Sequence, residues 1–349
     1  MTNEKAISND LLNITAGEWF EYWLETYIKP VAKPAGYEHY ADNCRKHIIP
    51  KLGDLKLTDV STSVLQQFLN TESTCGNLRD GGPLSAKSIK NMRVVLDVAM
   101  KQAVAEGKIP ANPVPLTAIK HVKSKRVEAM TDKEQSMLEE FLFACSDNYS
   151  NAELMAMYTG ARRGEICAMR WGEYNAGNGT VHIEETVKRL TNRGAKPDEP
   201  KTKLVFCSVK TDSSDRVLKL PPFLQDIIEN QRAMFVTQFG RFPTAEDFIF
   251  FSAQGTVLDP DNLSHYHDKL LKELGLEHKK FHALRHTFAT RGIENGIDVS
   301  TMSGLLGHAE VTTTTHYYIH PRDAAMENAM MGICPVSKSS AIRPSRTSA

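Results

Sequence analysis

The sequence carries no excess charge of either sign: 42 Lys and Arg stand against 42 Asp and Glu over 349 residues. At first sight that neutrality argues against a nucleic-acid partner. There is no apolar run of the ~18 residues that a membrane span needs, so no membrane association is expected. The N-terminus (MTNEKAISND) lacks the basic start and apolar stretch of a secretory signal. The six cysteines, Cys44, Cys75, Cys145, Cys167, Cys207 and Cys334, are scattered and form no C-x-x-C pair. That excludes a zinc ribbon or a disulfide framework and fits a reducing, cytoplasmic location. What remains is an ordinary soluble composition, 41% hydrophobic and 24% charged, long enough for two domains.

The neutral total hides an uneven distribution. Lys87 to Arg126 holds nine basic residues against Asp97 and Glu106, and Lys29 to Lys56 holds six against three. Both basic stretches lie in the first 126 residues, interleaved with apolar positions. Thr15-x-x-Glu18 is a capping box ahead of Trp19, Phe20, Trp23, Leu24 and Tyr27 at helical spacing, and Lys29-Pro30 ends that helix. A second helix is expected over Tyr37–Ile48, ended by Pro50 and Gly53, and a third after Ser61. Ser85 caps a long helix to about Glu106, with Ile89, Met92, Leu96, Ala99 and Ala103 on one stripe. Lys87, Lys90, Arg93 and Lys101 lie off that stripe.

Residues 1–12 read as a short leader, 13–120 as a helical domain with a basic exterior, and 121–128 (HVKSKRVE) as a basic linker containing Lys123, Lys125 and Arg126. A second domain over 129–334 opens with the capping box Thr131-x-x-Glu134. Helices are expected to about Met169. Strands follow at Val181–Ile183, Leu204–Ser208 and Val217–Leu220, and helices return at Pro222–Phe239, Asp261–Leu274, Ala283–Gly296 and Val299–Leu306. The fold class is mainly α with a small antiparallel β-sheet. Residues 335–349 read as a disordered tail.

Eight of the twelve histidines fall between His265 and His320. His282 and His286 have the i, i+4 spacing of H-E-x-x-H, but position 283 is Ala, so the general base is missing and no metal site is expected. A different constellation fits better: Thr159-Gly160-Ala161-Arg162-Arg163-Gly164-Glu165, His282-Ala283-Leu284-Arg285-His286, Leu306-Gly307-His308 and Tyr318-Ile319-His320-Pro321. Arginine forks neutralise the non-bridging oxygens of a phosphodiester. A tyrosine hydroxyl can attack phosphorus and leave a covalent link, and histidine moves protons near neutral pH.

In this order the motifs T-G-x-R-x-x-E, H-x-L-R-H, L-G-H and Y-x-H-P resemble those of the tyrosine recombinases, the phage-type integrases. The resemblance runs from about Ile14 to Ile333. The stretch from Gly296 to His308 and the Tyr-Ile-His-Pro end look like those of conjugative-transposon integrases. It implies a helical core-binding domain followed by a mixed α/β catalytic domain, the two clamping a duplex. Arg162 and Arg285 resemble the two catalytic arginines, and His308 a phosphate donor. His282 resembles the general base toward the tyrosine or a further phosphate donor, and Glu165 the acidic partner. His286 supports, since four residues along a helix place it about 40° from His282.

The general-acid lysine of the family lies on a β-hairpin finger. Lys210 in Ser208–Arg216 fits it, with Lys201 and Lys203 of similar appearance. Tyr317 and Tyr318, nine and ten residues after His308, compete for the nucleophile; Tyr318 carries the His-Pro that follows at plus two and is the choice. The resemblance implies a 3′-phosphotyrosyl intermediate, no cofactor, a homotetramer on double-stranded core sites, and an excisionase or DNA-bending protein as accessory partner. The segment Asp323–Met331 is expected to dock on a neighbouring subunit. About a dozen residues precede the first helix, so arm-site binding by an extra N-terminal domain is not expected. A simple invertase and a non-catalytic DNA-binding regulator are the alternative readings, and the intact catalytic set counts against the second.

Through Arg126 the chain holds seventeen basic and thirteen acidic residues, and the remainder is correspondingly acidic. DNA affinity concentrated on one basic surface should fall steeply with salt, because each neutralised phosphate releases counterions. A plot of log Kd against log salt concentration for the core duplex checks this, and a slope near zero contradicts it.

Overall fold

The computed structural model describes residues 14–120, 128–193, 195–196, 198–208 and 214–308. Lys123, Lys125, Arg126, Lys210, Tyr317, Tyr318, the Asp323–Met331 segment and the tail lie outside the described residues. Contacts divide the chain into two units, Met1–Lys125 and Arg126–Ala349.

The first unit is helical. Helix α1 (Ala16–Trp23) starts at the Thr15 capping box, closed by Glu18, and runs on through a π-turn at Leu24–Ile28. Its apolar face buries Trp19, Phe20, Trp23 and Leu24, and the Trp19 indole donates to the Ala99 carbonyl at 3.3 Å. Helix α2 (Pro34–Asn43) passes through a second π-turn, Cys44–Ile48, into α3 (Ile49–Leu52). Pro50 was expected to end this helix and does not. The wider π hydrogen bond, Ile49 N–H to the Cys44 carbonyl, restarts the helix so that proline falls in its first turn, where its missing N–H costs nothing. Helix α4 (Thr62–Cys75) is capped by Ser61, and α5 (Ala86–Ala105) by Ser85. All five residues of the expected α5 stripe are buried.

The second unit opens with α6 (Asp132–Cys145), capped by Thr131 and Glu134, then α7 (Asn148–Thr159) and the short α8 (Arg163–Ala168). Two antiparallel sheets follow where one was expected. Strands β1 (Tyr174–Asn175), β2 (Thr180–Ile183) and β5 (Arg216–Lys219) form one, in the order β1-β2-β5. Strands β3 (Glu185–Thr191) and β4 (Thr202–Ser208) form the other, a long hairpin pairing Glu185 with Ser208 and Thr191 with Thr202. β3 was not foreseen because charged side chains dominate it and only Val187 is fully buried. β5 begins one residue earlier than expected, and this places Arg216 on the inward face with Leu218 while Val217 points out.

Helices α9 (Pro222–Phe239), α10 (Pro260–Glu273), α11 (His282–Glu294) and α12 (Val299–Leu306) complete the unit, within one or two residues of expectation. Its core runs from Met130 through Phe250 to Leu284, and a smaller cluster of Ala289, Met302 and Leu306 joins α11 to α12. Glu153 and His267 form a buried pair in the second unit, and in the first a buried Glu72 meets partly buried His47 and exposed Lys51.

Glycines set the close approaches around α8. Gly160 ends α7 at φ +63°, and a Cβ there would meet Phe288 at 2.5 Å and Leu306 at 2.9 Å. Gly240 ends α9 at φ +66° with open space around it. Gly160→Ala is therefore expected to cost about 2 kcal/mol or more, summing left-handed strain and overpacking, and Gly240→Ala only about 1 kcal/mol. Urea unfolding of both variants checks this, and equal losses would remove the packing argument.

Candidate active site

Each of the four described motif residues is placed by the backbone chemistry of a helix end. Arg162 occupies the cap position of α8. Its backbone N–H donates to Glu165 Oε2 at 2.9 Å and its Nη1 to Glu165 Oε1 at 2.6 Å. Its Nη2 reaches the Gly307 carbonyl at 3.3 Å. The adjacent Arg163 goes elsewhere, donating to Ser264 and pairing with Asp261 on α10. Gly164 allows this turn, because a Cβ there would meet Val187 O and Thr186 Oγ1, each at 2.5 Å.

Arg285 is buried on α11 and 3% exposed. Its Nη1 donates to the Gly160 carbonyl and its Nη2 to the Leu306 carbonyl, both at 2.7 Å. Arg216, which the sequence analysis left without a role, donates from Nε to the Leu305 carbonyl at 2.9 Å and from Nη2 to Glu165 Oε2 at 3.0 Å. Three successive carbonyls at the end of α12 thus each accept from a different arginine. These are groups that a helix C-terminus leaves without intrahelical partners, and its partial negative charge favours cations there.

Gly307 caps α12 in the left-handed region at φ +66°, and His308 follows it, its N–H bonded to the Ser303 carbonyl. His282 is the first residue of α11, exposed at its start, and its ring meets that of buried His286 edge-on at 5.0 Å. A cleft of about 660 Å³ reaches from Lys188, Arg189 and Leu190 on β3 to Arg162, His282 and Arg285.

Electrostatics follow from this crowding. Although His282 is open to solvent on one side, loss of hydration where it packs on the protein, then the charges of His286, Arg285 and Arg162, hold it down at about 4. The same causes, with Arg285, Arg162, His282 and Arg216 as neighbours, hold His308 at about 4. His286 is lowered by burial and by Arg285. At neutral pH these imidazoles are uncharged, so each offers one donor and one acceptor nitrogen. Burial would raise the Glu165 carboxyl, but Arg216 and Arg162 outweigh it and keep it below the usual range. Glu165 is thus an anion 2% exposed, with bonds to both oxygens. Among the described residues no group of three His, Cys, Asp or Glu side chains is placed to hold a metal. A set of arginines and neutral histidines suits an anion instead.

The basic residues off the apolar stripe of α5 divide. Lys87 and Lys90 are exposed on α5. Lys101 pairs with Asp97 at 2.7 Å, and Arg93 pins the turn after α5 through Thr117 Oγ1 and the Val114 and Pro115 carbonyls. Lys203 pairs opposite Leu190 near the tip of the β3–β4 hairpin, and Lys201 lies in its turn. No helix among the described residues is long and apolar enough to cross a membrane.

Arginines and histidines gathered on one helix end, in a mixed helical and sheet unit preceded by a helical one, define the tyrosine recombinase class. The chain belongs to the phage integrase family, whose model matches residues 128–325, and the family's N-terminal SAM-like domain matches residues 15–73. It is similar to a tyrosine recombinase XerC-like protein of Caldanaerobacter subterraneus subsp. tengcongensis, 26% identical over 92% of this chain and 83% of the relative. It is also similar to the integrase of Escherichia phage HK022, 26% identical over 87% and 75%. Among solved structures it resembles the Tn1549 transposon integrase in complex with a circular intermediate DNA, with TM-score 0.71, 18% identity and coverage of 91% and 99%. It likewise resembles a lambda integrase tetramer bound to a Holliday junction, with TM-score 0.63, 22% identity and coverage of 89% and 82%. The chain is a site-specific recombinase of the class that cleaves and rejoins DNA through a tyrosine intermediate.

The depressed histidines make stability depend on pH. Their unfolded value is near 6.5, so as pH falls below that the unfolded chain takes up protons first. Their contribution is whole above about 6.5, is lost on acidification, and is exhausted near 4, where the folded imidazoles charge. Unfolding free energy measured between pH 7 and 4 should fall less steeply in His282→Gln/His308→Gln than in the wild type. Identical pH slopes would contradict neutral imidazoles at these positions.

Proposed function

We propose that Tyr318 attacks the scissile phosphate of a double-stranded core site, forming a 3′-phosphotyrosyl link and releasing a 5′ hydroxyl. Arg162, Arg285 and His308 stabilise the charge that develops on the non-bridging oxygens, while His282 receives the tyrosine proton or donates to the phosphate. Lys210 protonates the leaving 5′ oxygen, and Glu165 and His286 keep the donors in place. The observation that carries this reading is the gathering of Arg162 and Arg285 on the carbonyls that end α12, immediately before His308. Donors oriented in advance toward developing charge cost no reorganisation during reaction. The phosphotyrosyl bond conserves the energy of the phosphodiester, so rejoining to a partner strand needs neither ATP nor metal.

Lys87, Lys90, Arg93, Lys101, Lys123, Lys125 and Arg126 supply the phosphate contacts in this reading. Lys87 and Lys90 contribute most among the described members, since Arg93 and Lys101 already serve internal bonds. Strand exchange needs two duplexes, so the working form is a homotetramer on DNA, acting in the cytoplasm with an excisionase or DNA-bending protein as accessory. The lambda integrase tetramer on a Holliday junction supports that stoichiometry by likeness of fold.

A nicked suicide duplex carrying the core site tests the chemistry. Wild type should give an SDS-resistant protein–DNA adduct, Tyr318→Phe none, and EDTA should change nothing. An adduct formed by Tyr318→Phe but not by Tyr317→Phe moves the nucleophile to Tyr317, and loss with EDTA overturns the metal-free mechanism.

A further inference from the structure

We propose that Arg216 is a positioning residue of the recombination site, locking Glu165, and through it the Arg162 guanidinium, against the end of α12. The proposal rests on the recombinase reading above. Arg216 is 9% exposed, on the inward face of β5, so it orders the site without touching DNA.

Each nitrogen of its guanidinium is committed, two to other elements and the third to the segment that leads into β5. Nη2 donates to Glu165 Oε2 on α8 at 3.0 Å, Nε to the Leu305 carbonyl of α12 at 2.9 Å, and Nη1 to the Ser214 carbonyl at 3.0 Å. Ser214 in turn donates from Oγ to the Gly307 carbonyl at 3.2 Å. Glu165 gives its other oxygen, Oε1, to Arg162 Nη1, and Arg162 Nη2 closes the ring on Gly307. The bonds form a closed circuit, from Arg216 through Glu165, Arg162 and Gly307 to Ser214 and back to Arg216. Ser214 lies four residues beyond Lys210 in the sequence. A lysine cannot make the same three bonds, because only the planar fork directs donors to three separate acceptors on α8, on α12 and before β5.

The charged groups facing Glu165 are Arg216 from β5 and Arg162 at the start of its own helix, with the titratable but neutral His282 from α11; His308, after α12, faces both arginines. Without Arg216, a carboxyl buried this deeply is opposed by Arg162 alone. It protonates more readily, and a neutral Glu165 holds Arg162 less firmly. The defect should therefore depend on pH, as simple loss of packing would not.

The test is single-turnover adduct formation by the full chain on the nicked suicide duplex, from pH 6 to pH 9, with duplex binding measured in parallel. Arg216→Met should form adduct about 100-fold more slowly at pH 6.5, the scale expected for a small misplacement of a catalytic group. It should recover part of that loss by pH 8.5 and bind the duplex as the wild type does. Arg216→Lys should lose less. Arg216→Met/Glu165→Gln should show no pH-dependent recovery and lose less than the product of its two single variants. Wild-type rates in Arg216→Met at every pH, or a constant loss that multiplies with that of Glu165→Gln, overturn the proposal. Where Arg216→Met shows no cooperative thermal transition, Arg216→Lys carries the test, and its cleaving at the wild-type rate overturns the proposal. Absence of adduct from the wild type strikes the recombinase reading itself.

Discussion

The last turn of α12 is the constraint on which the site depends. Its carbonyls at Leu305, Leu306 and Gly307 have no intrahelical donors, and each must find a partner or remain unsatisfied in a crowded interior. Arginines from β5, α11 and the start of α8 supply them, from positions 89, 21 and 145 residues away in sequence. Three guanidinium groups would repel one another in so small a space. The carbonyl dipoles and the Glu165 carboxylate make their assembly tolerable. The result is a cationic surface held by backbone geometry, which is stiffer than one held by other side chains.

That stiffness bears directly on phosphoryl chemistry. A pentavalent phosphorus gathers negative charge on its equatorial oxygens, and donors already fixed in place stabilise it without reorganising. Loss of hydration, and then the same arginines, keep His282 and His308 uncharged at neutral pH. An uncharged imidazole can both accept and donate, whereas a charged one can only donate. In the proposed mechanism the cluster supplies charge through arginine and proton mobility through histidine, a division of labour set by which groups can lose a proton.

Parts of this were legible in the sequence for identifiable reasons. Helix starts at Thr15, Ser61, Ser85 and Thr131 announce themselves because a side-chain oxygen satisfies a specific backbone N–H three residues on. Arg162, Arg285 and His308 stood out through the order of the motifs that carry them, and the glycines of those motifs have structural work: Gly160 and Gly307 adopt left-handed turns, and Gly164 lies against β3. The charged strand β3 stayed hidden since its pairing with β4, and not its own pattern, makes it a strand. The π-turn that carries the chain past Pro50 depends on tertiary packing, which residue preferences do not encode.

Arg216 is the instructive omission. A basic residue beside a turn reads as solvated, yet the alternation of β5 places it with Leu218 and Leu220 on the inward face. The signal was present as period-two spacing, but it had to be weighed against the cost of burying a charge. Beyond the nearby Ser214 carbonyl, that cost is met by an opposite charge and a carbonyl that lie 51 and 89 residues away. A buried ion pair of this kind adds little net stability. What it can add is a single geometry, since every alternative arrangement leaves a guanidinium or a carboxylate uncompensated. The neutral total of the whole chain is likewise a sum of unlike parts, a basic first unit set against an acidic second.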